Sequence, residues 1–276
     1  MKNAIHYDQA PGGSAAWRKL LCDILDNGHP VAPRGQPTLE VLHVNKVTVD
    51  MARAVVTDPR RKLSYQFQCA EALWILAGDN RLEPLTKYVK RMADFSDDGV
   101  TLAGAYGPRV VSQLDYVVNA LRTDRDTRQA VLSIWTPCPA PSKDIPCTIS
   151  MVFSIRDNRL YQHVMMRSSD AWMGIPYDMF SFSCIGLRVL CAYNAPLLST
   201  ASCIVPGALT ISMTSSHLYE RDLENVNAVL ESIPGVPIEP PPKDVLAQGK
   251  WSWLEKDLIG QRDDKSYQPM LWKVKP

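Results

Sequence analysis

No pair of cysteines in this 276-residue chain has C-x-x-C spacing, and its five histidines (6, 29, 43, 163 and 217) include no H-x-x-x-H pair. The local signatures of a zinc site are therefore missing, and no metal is expected. The seven cysteines, at 22, 69, 138, 147, 184, 191 and 203, are an odd number in a chain this long, which speaks against a disulfide framework. An excess of one charge is also missing. Thirty Lys and Arg face 29 Asp and Glu, for a formal net charge of +1, which excludes coating of a duplex or an acidic lipid surface by bulk charge. No nucleic acid is expected to be needed for activity, while a small anionic ligand stays compatible. Charges interrupt the apolar stretches before the ~20 residues of a membrane span, and MKNAIHYDQ at the start holds no apolar leader core. A cytoplasmic protein without a membrane partner is expected. Internal repeats, low-complexity tracts and Gly/Ser linkers are absent too, so residues 1–276 read as one catalytic-sized domain.

What is present is a mixture of the two structural periods. Residues 15–27 place Trp17, Leu20, Leu21, Ile24 and Leu25 on one helical face, with Gly28 where a left-handed cap would end the helix. Residues 47–56 read as a strand, 69–78 as an apolar helix holding one acid, Glu71, and 111–122 as an amphipathic helix. Strands are expected at 129–136, 147–156 and 159–167, the last two joined at Asp157-Asn158. A buried helix over 179–193, a strand at 207–214 and a polar helix near 219–232 follow, and the Pro-rich 234–242 should stay irregular. The fold class is α+β with a large mixed sheet flanked by helices.

Chemistry concentrates between Asp144 and Asp178, in D-I-P-C (144–147), M-R-S-S-D (166–170) and G-I-P-Y-D (174–178). With Arg34, A-E-A-L-W-I-L-A-G-D-N at 70–80, A-Y-G at 105–107, D-T-R-Q at 126–129 and S-H-L-Y at 216–219, these segments resemble the thymidylate synthase family in order and spacing. The resemblance implies that Cys147 attacks carbon 6 of a pyrimidine nucleotide monophosphate as a thiolate, which a cation such as Arg167 would favour. It implies phosphate binding by Arg34, Arg167 and Ser168. Arg128 would be lent by the other chain of a homodimer formed through a sheet face. Glu71 is implied as proton handler beside the folate, Tyr106 as an active-site tyrosine, His217 and Tyr219 as the pair on the sugar hydroxyl, and Asp170 as the anchor of the folate pterin. The co-substrate implied is 5,10-methylenetetrahydrofolate.

Four departures from the family pattern set the expected specificity. Asp178 stands where thymidylate synthases carry the Asn that reads uracil, and a carboxyl group offers the donor and acceptor that cytosine needs. Met166 replaces Gln, Thr148 replaces a His, and Gln129 replaces a second Arg. The resemblance therefore runs to the branch of cytidylate and deoxycytidylate 5-hydroxymethylases. KRMADFSDDG (90–99) lacks the tryptophan that shields the exocyclic methylene from water in thymidylate synthases, so hydroxymethylation is expected rather than methylation of dCMP or CMP. A non-catalytic nucleotide- or RNA-binding relative is the rival reading, and retention of Cys147, Glu71 and Asp178 argues against it.

Overall fold

The computed structural model describes residues 10–42, 46–197 and 202–264. Helix α1 (Gly13–Asn27) buries Ala16, Trp17, Leu20, Leu21 and Ile24, as its spacing predicts. Gly28 does not take the expected left-handed conformation: its φ of −71° and ψ of 139° are extended. Glycine is needed there for a different reason, since a Cβ would lie 2.5 Å from the Ile24 carbonyl oxygen. The hairpin of β1 (His29–Val31) and β2 (Thr38–Leu42) comes next, with Arg34 at its tip. Strand β3 (Lys46–Asp50) is shorter than the expected 47–56, because the Asp50 carboxylate accepts the Ala52 N–H at 2.9 Å and turns the chain into a 3₁₀ segment.

Helix α2 (Tyr65–Leu76) carries Glu71, and the short α3 (Glu83–Thr86) leads to α4 (Tyr106–Thr123), whose first residue is the A-Y-G tyrosine. Strands β4 (Val131–Ser133), β5 (Thr148–Arg156) and β6 (Arg159–Met166) follow in antiparallel order. Asp157 and Asn158 turn β5 into β6 with φ of 50° and 57°, the left-handed pair that suits a two-residue hairpin. After β7 (Ser169–Asp170) come α5 (Ile175–Asn194), β8 (Val205–Met213), β9 (Ser215–Tyr219) and the helices α6 (Leu223–Leu230), α7 (Lys243–Ala247) and α8 (Trp251–Asp263). The Pro-rich stretch has no regular structure, yet Ile238 within it is buried.

The strands divide between two sheets, one of five in the order β3-β8-β6-β5-β4 and one of four in the order β1-β2-β9-β7. Both are mixed, β6 with β8 and β7 with β9 being the parallel pairs. On the covered face of the larger sheet Met151, Phe153, Leu160, Val164, Leu209 and Ile211 pack into one core with Phe180, Phe182 and Ile185 of α5. Alternate residues, among them Val152, Tyr161, His163, Met165 and Thr210, point to the opposite face and stay partly or wholly exposed. Helix α5 is long and apolar enough to cross a membrane by composition, but 78% of its most apolar window is buried inside the fold.

Candidate active site

Cys147 sits immediately before β5, where the Arg167 N–H donates to the Cys147 carbonyl at 2.9 Å. The Arg167 side chain also holds this segment, its Nε donating to the Pro146 carbonyl and its Nη2 to that of Ile145, both at 2.9 Å. Cys147 is thus held by the Arg167 backbone N–H on one side and by the Arg167 side chain on the segment before it. Burial pushes its thiol up, Asp178 and Asp144 push it further, and Arg167 and Arg34 pull it down. The sequence reading looks to Arg167 to favour the thiolate. It does, but desolvation wins, so in the free protein the thiol is protonated at neutral pH.

Tyr106 stands beside it at the start of α4. Its oxygen accepts the Thr148 N–H at 3.3 Å and the Thr148 hydroxyl at 3.0 Å, and its ring stacks on Phe182 with centroids 6.4 Å apart. Both bonds arrive at the oxygen, so the phenol proton is left to donate into the pocket. Thr148, a departure at the sequence level, is the anchor of Tyr106. Burial raises this phenol far above its ordinary value, so it acts as a neutral donor.

Two carboxyl groups meet on the pocket floor. Asp178 lies in the first turn of α5, and burial, then the nearby Glu71 and Asp170, raise it well above the ordinary carboxylate range. Glu71 projects from α2; burial pushes it up to about 7, against a 3.4 Å hydrogen bond donated by Ser181. An acid that titrates near neutrality is suited to take up and return protons.

A cavity of about 700 Å³ opens over this floor, bordered by Arg34, Glu71, Asp170, Asp178 and Tyr219. Its wall is completed by Phe67, Met92, Phe95, Met173 and Tyr177, a set of rings and thioethers suited to a flat heterocycle. Asp170 accepts the backbone N–H groups of Trp172 and Met173 through Oδ1 at 2.8 and 2.9 Å, while Oδ2 has no partner among the described residues. The pairing of β7 with β9 sets Asp170 opposite His217, whose ring meets Tyr219 edge to face at 5.3 Å. Burial lowers the His217 imidazole below its ordinary value, which favours the neutral ring.

The remaining predicted residues are placed differently. Arg34 is exposed at the hairpin tip with φ 53°, a conformation unusual for a side chain with a Cβ. Ser168 is half-buried between β6 and β7. Arg128 is not brought to the pocket. Its loop joins α4 to β4 at the far end of β5, near Asp157-Asn158, where Arg125 bonds Asn158 at 2.8 Å. With Ala130 bonded to Phe153, Arg128 lies near Ile155, eight residues along the strand from Cys147 and hence roughly 26 Å away.

Sequence reasoning did not assign Ser181, Arg221 or Asp144. Arg221 stacks over the Tyr219 ring at 4.1 Å and donates to Gln36 at 2.8 Å, tying the Arg34 hairpin to β9. Asp144 was present within D-I-P-C, and Ser181 one turn beyond Asp178 gave no separate signal. Among the described residues no group of three or more His, Cys, Asp or Glu could hold a metal ion.

Comparison with known proteins adds three findings. A family model described as thymidylate synthase matches residues 15–244. A protein of Bacillus phage SP01 named deoxyuridylate hydroxymethyltransferase is 32% identical over 60% of this chain and 49% of its own length. Proteins of the same name from Pseudomonas phage M6 and Delftia phage PhiW-14 are 36% and 30% identical over 48% and 64% of this chain and 40% and 54% of their own lengths. The chain thus spans about half the length of the curated relatives it matches.

Proposed function

Because the chain belongs to the thymidylate synthase family, we propose that it hydroxymethylates carbon 5 of a cytosine nucleotide monophosphate, dCMP or CMP. Asp178 carries this reading. Burial and the nearby Glu71 and Asp170 raise its carboxyl group and favour the protonated form, which offers one donor and one acceptor. The donor meets nitrogen 3 of cytosine and the acceptor meets the carbon-4 amine.

The relatives' name favours a second reading, a uracil nucleotide. A neutral carboxyl can also carry its proton on the oxygen that faces carbon 4, donating to uracil oxygen 4 and accepting from nitrogen 3. Asp178 therefore admits cytosine when neutral, or when ionised if cytosine nitrogen 3 carries a proton, and uracil only when neutral. Incubation of CMP, dCMP, UMP and dUMP with methylenetetrahydrofolate, followed by mass spectrometry, separates the readings. A gain of CH₂O on a cytosine nucleotide is expected, a gain of CH₂ would mean methylation, and turnover of uracil nucleotides alone would overturn the assignment.

In this reading Arg34, Arg167 and Ser168 hold the phosphate, and neutral His217 with Tyr219 hold the sugar hydroxyl. The Cys147 thiol loses its proton as it adds to carbon 6, which makes carbon 5 nucleophilic. Glu71, titrating near 7, handles the protons that follow, and Tyr106 donates into the site. The folate, when bound, supplies the one-carbon unit at the oxidation level of formaldehyde. The wall of Phe67, Met92, Phe95 and Tyr177, with the unbonded oxygen of Asp170, fits its ring system. Met92 and Phe95 stand where a shielding indole would exclude water, which supports the hydroxymethyl product.

The protein in this reading is a homodimer. The exposed face of the five-stranded sheet is broad and partly apolar, with Met165 46% exposed, and Arg128 lies beyond reach of its own nucleophile. Both follow if a second copy covers that face and receives Arg128.

A further inference from the structure

The proposed hydroxymethyl transfer needs a base for the attacking water, a role separate from the proton transfers assigned to Glu71 after thiol addition and from the base reading assigned to Asp178. A second, smaller cavity of about 170 Å³ lies behind the pocket floor, and Glu71, Tyr106, Asp178 and Ser181 border it together with Asp144. At ~30 Å³ of liquid volume per water, it has room for several, and its wall offers the polar partners they need.

Asp144 is built into that wall. Its Oδ2 accepts the Gly104 N–H at 2.7 Å, and its own N–H donates to Ser142 Oγ at 3.0 Å. Gly104 is glycine because Asp144 takes the space: a Cβ there would lie 2.6 Å from the Asp144 carbonyl oxygen and 2.9 Å from its Oδ1. That Oδ1 has no hydrogen bond among the described residues. The carboxyl is pushed up by burial, and it lies close enough to Cys147 to act on the thiol through space.

Resting on the reading of the protein as a C5 hydroxymethylase, we propose that Asp144 is a catalytic residue that accepts the proton of the water attacking the exocyclic methylene. The new bond joins the water oxygen to the methylene carbon, and one O–H bond breaks as its proton passes to Asp144 Oδ1. The electron pair of the exocyclic double bond moves into the ring and re-forms the double bond between carbons 5 and 6. The bond from carbon 6 to sulfur breaks, and Cys147 leaves as thiolate. Water is the only co-reactant.

Run backwards, this step needs no folate, so it can be tested without one. The protein is incubated with 5-hydroxymethyl-CMP or 5-hydroxymethyl-dCMP in ¹⁸O-water, and label in the hydroxymethyl group is measured by mass spectrometry. Exchange of the carbon-5 hydrogen of the unmodified nucleotide, measured in parallel, reports thiol addition alone. The native protein is expected to incorporate ¹⁸O. Asp144→Asn, which keeps an acceptor for Gly104, is expected to lose ~10²-fold or more in oxygen exchange and at least tenfold less in hydrogen exchange, as for a general base. Formate is expected to restore oxygen exchange to Asp144→Ala. Undiminished oxygen exchange in Asp144→Asn, or equal loss of both exchanges, would overturn the proposal. Hydrogen exchange without any oxygen exchange in the native protein would also overturn it. Neither exchange in the native protein with any pyrimidine nucleotide would instead remove the underlying enzymatic reading, and the inference with it.

Discussion

The two ends of the site are built by opposite means. Around Cys147 every group is fixed: the thiol segment by Arg167, Tyr106 by Thr148, and the carboxyl groups by α2 and α5. At the end proposed to hold phosphate, Arg34 sits exposed on a hairpin tip, and Arg128 is exposed on a distant loop. Bond-making groups need fixed geometry, because misplacement by about 1 Å is costly in rate. Phosphate, by contrast, brings charge enough to order mobile guanidinium groups on arrival. Damage to the first region should therefore appear in kcat and damage to the second in KM.

Cys147→Ser should show the largest effect, turnover falling to background while nucleotide affinity, measured by calorimetry, stays near the native value. Retained turnover would break the contrast at its centre. Glu71→Gln should lower kcat by about 10²–10⁴-fold with little change in KM for the nucleotide. The same residue has a stability signature. An acid raised by burial stabilises the fold fully below its unfolded value of ~4.3, and that contribution is lost as pH rises through the folded value of about 7. Denaturant titrations from pH 5 to 8 should therefore show a decline that Glu71→Gln removes, worth about 2 kcal/mol at the upper end.

Asp178→Asn should shift kcat/KM from cytosine toward uracil nucleotides by about ten- to a hundredfold, since each mismatched buried donor or acceptor costs roughly 1–3 kcal/mol. An unchanged cytosine preference would mean that Asp178 does not read the base. Arg34→Ala and Arg128→Ala should each raise KM about tenfold, the equivalent of ~1.5 kcal/mol for a charged hydrogen bond, at nearly constant kcat. Mixing Arg128→Ala with Cys147→Ser subunits should restore the native KM, because one site of each heterodimer is whole. Failure to restore it, with an active monomer in sedimentation, would place Arg128 outside the site.

The fixed end was largely legible in the sequence, because its motifs coincide with element boundaries. Cys147 immediately precedes β5, Tyr106 opens α4 and Asp178 lies in the first turn of α5, so pattern and position agree. What did not show were contacts between segments distant in sequence. The Thr148 bond to Tyr106 spans 42 residues, and the Asp144 bond to Gly104 spans 40. Local periodicity holds no trace of either. The same holds for the hairpin of β1 and β2, whose strands are too short and exposed to leave an alternating pattern, and for β3, cut short by the Asp50 turn. Gly28 is required by a close approach to the Ile24 carbonyl and not by the left-handed turn that the pattern suggests.

Strands β6 and β8 lie parallel, and the chain between them carries Arg167, Asp170, Asp178 and the whole of α5. A parallel pair cannot close by a tight turn, so this crossover is a long loop whose ends must meet before its contacts return any free energy. Non-local pairing of this kind is slow, in the millisecond to second range for sheet-rich chains. Half of the site is thus strung along a segment that gains its place only when the sheet zips shut. During refolding, catalytic competence should return with the last and slowest phase, and Cys147 should stay open to alkylating reagents until then.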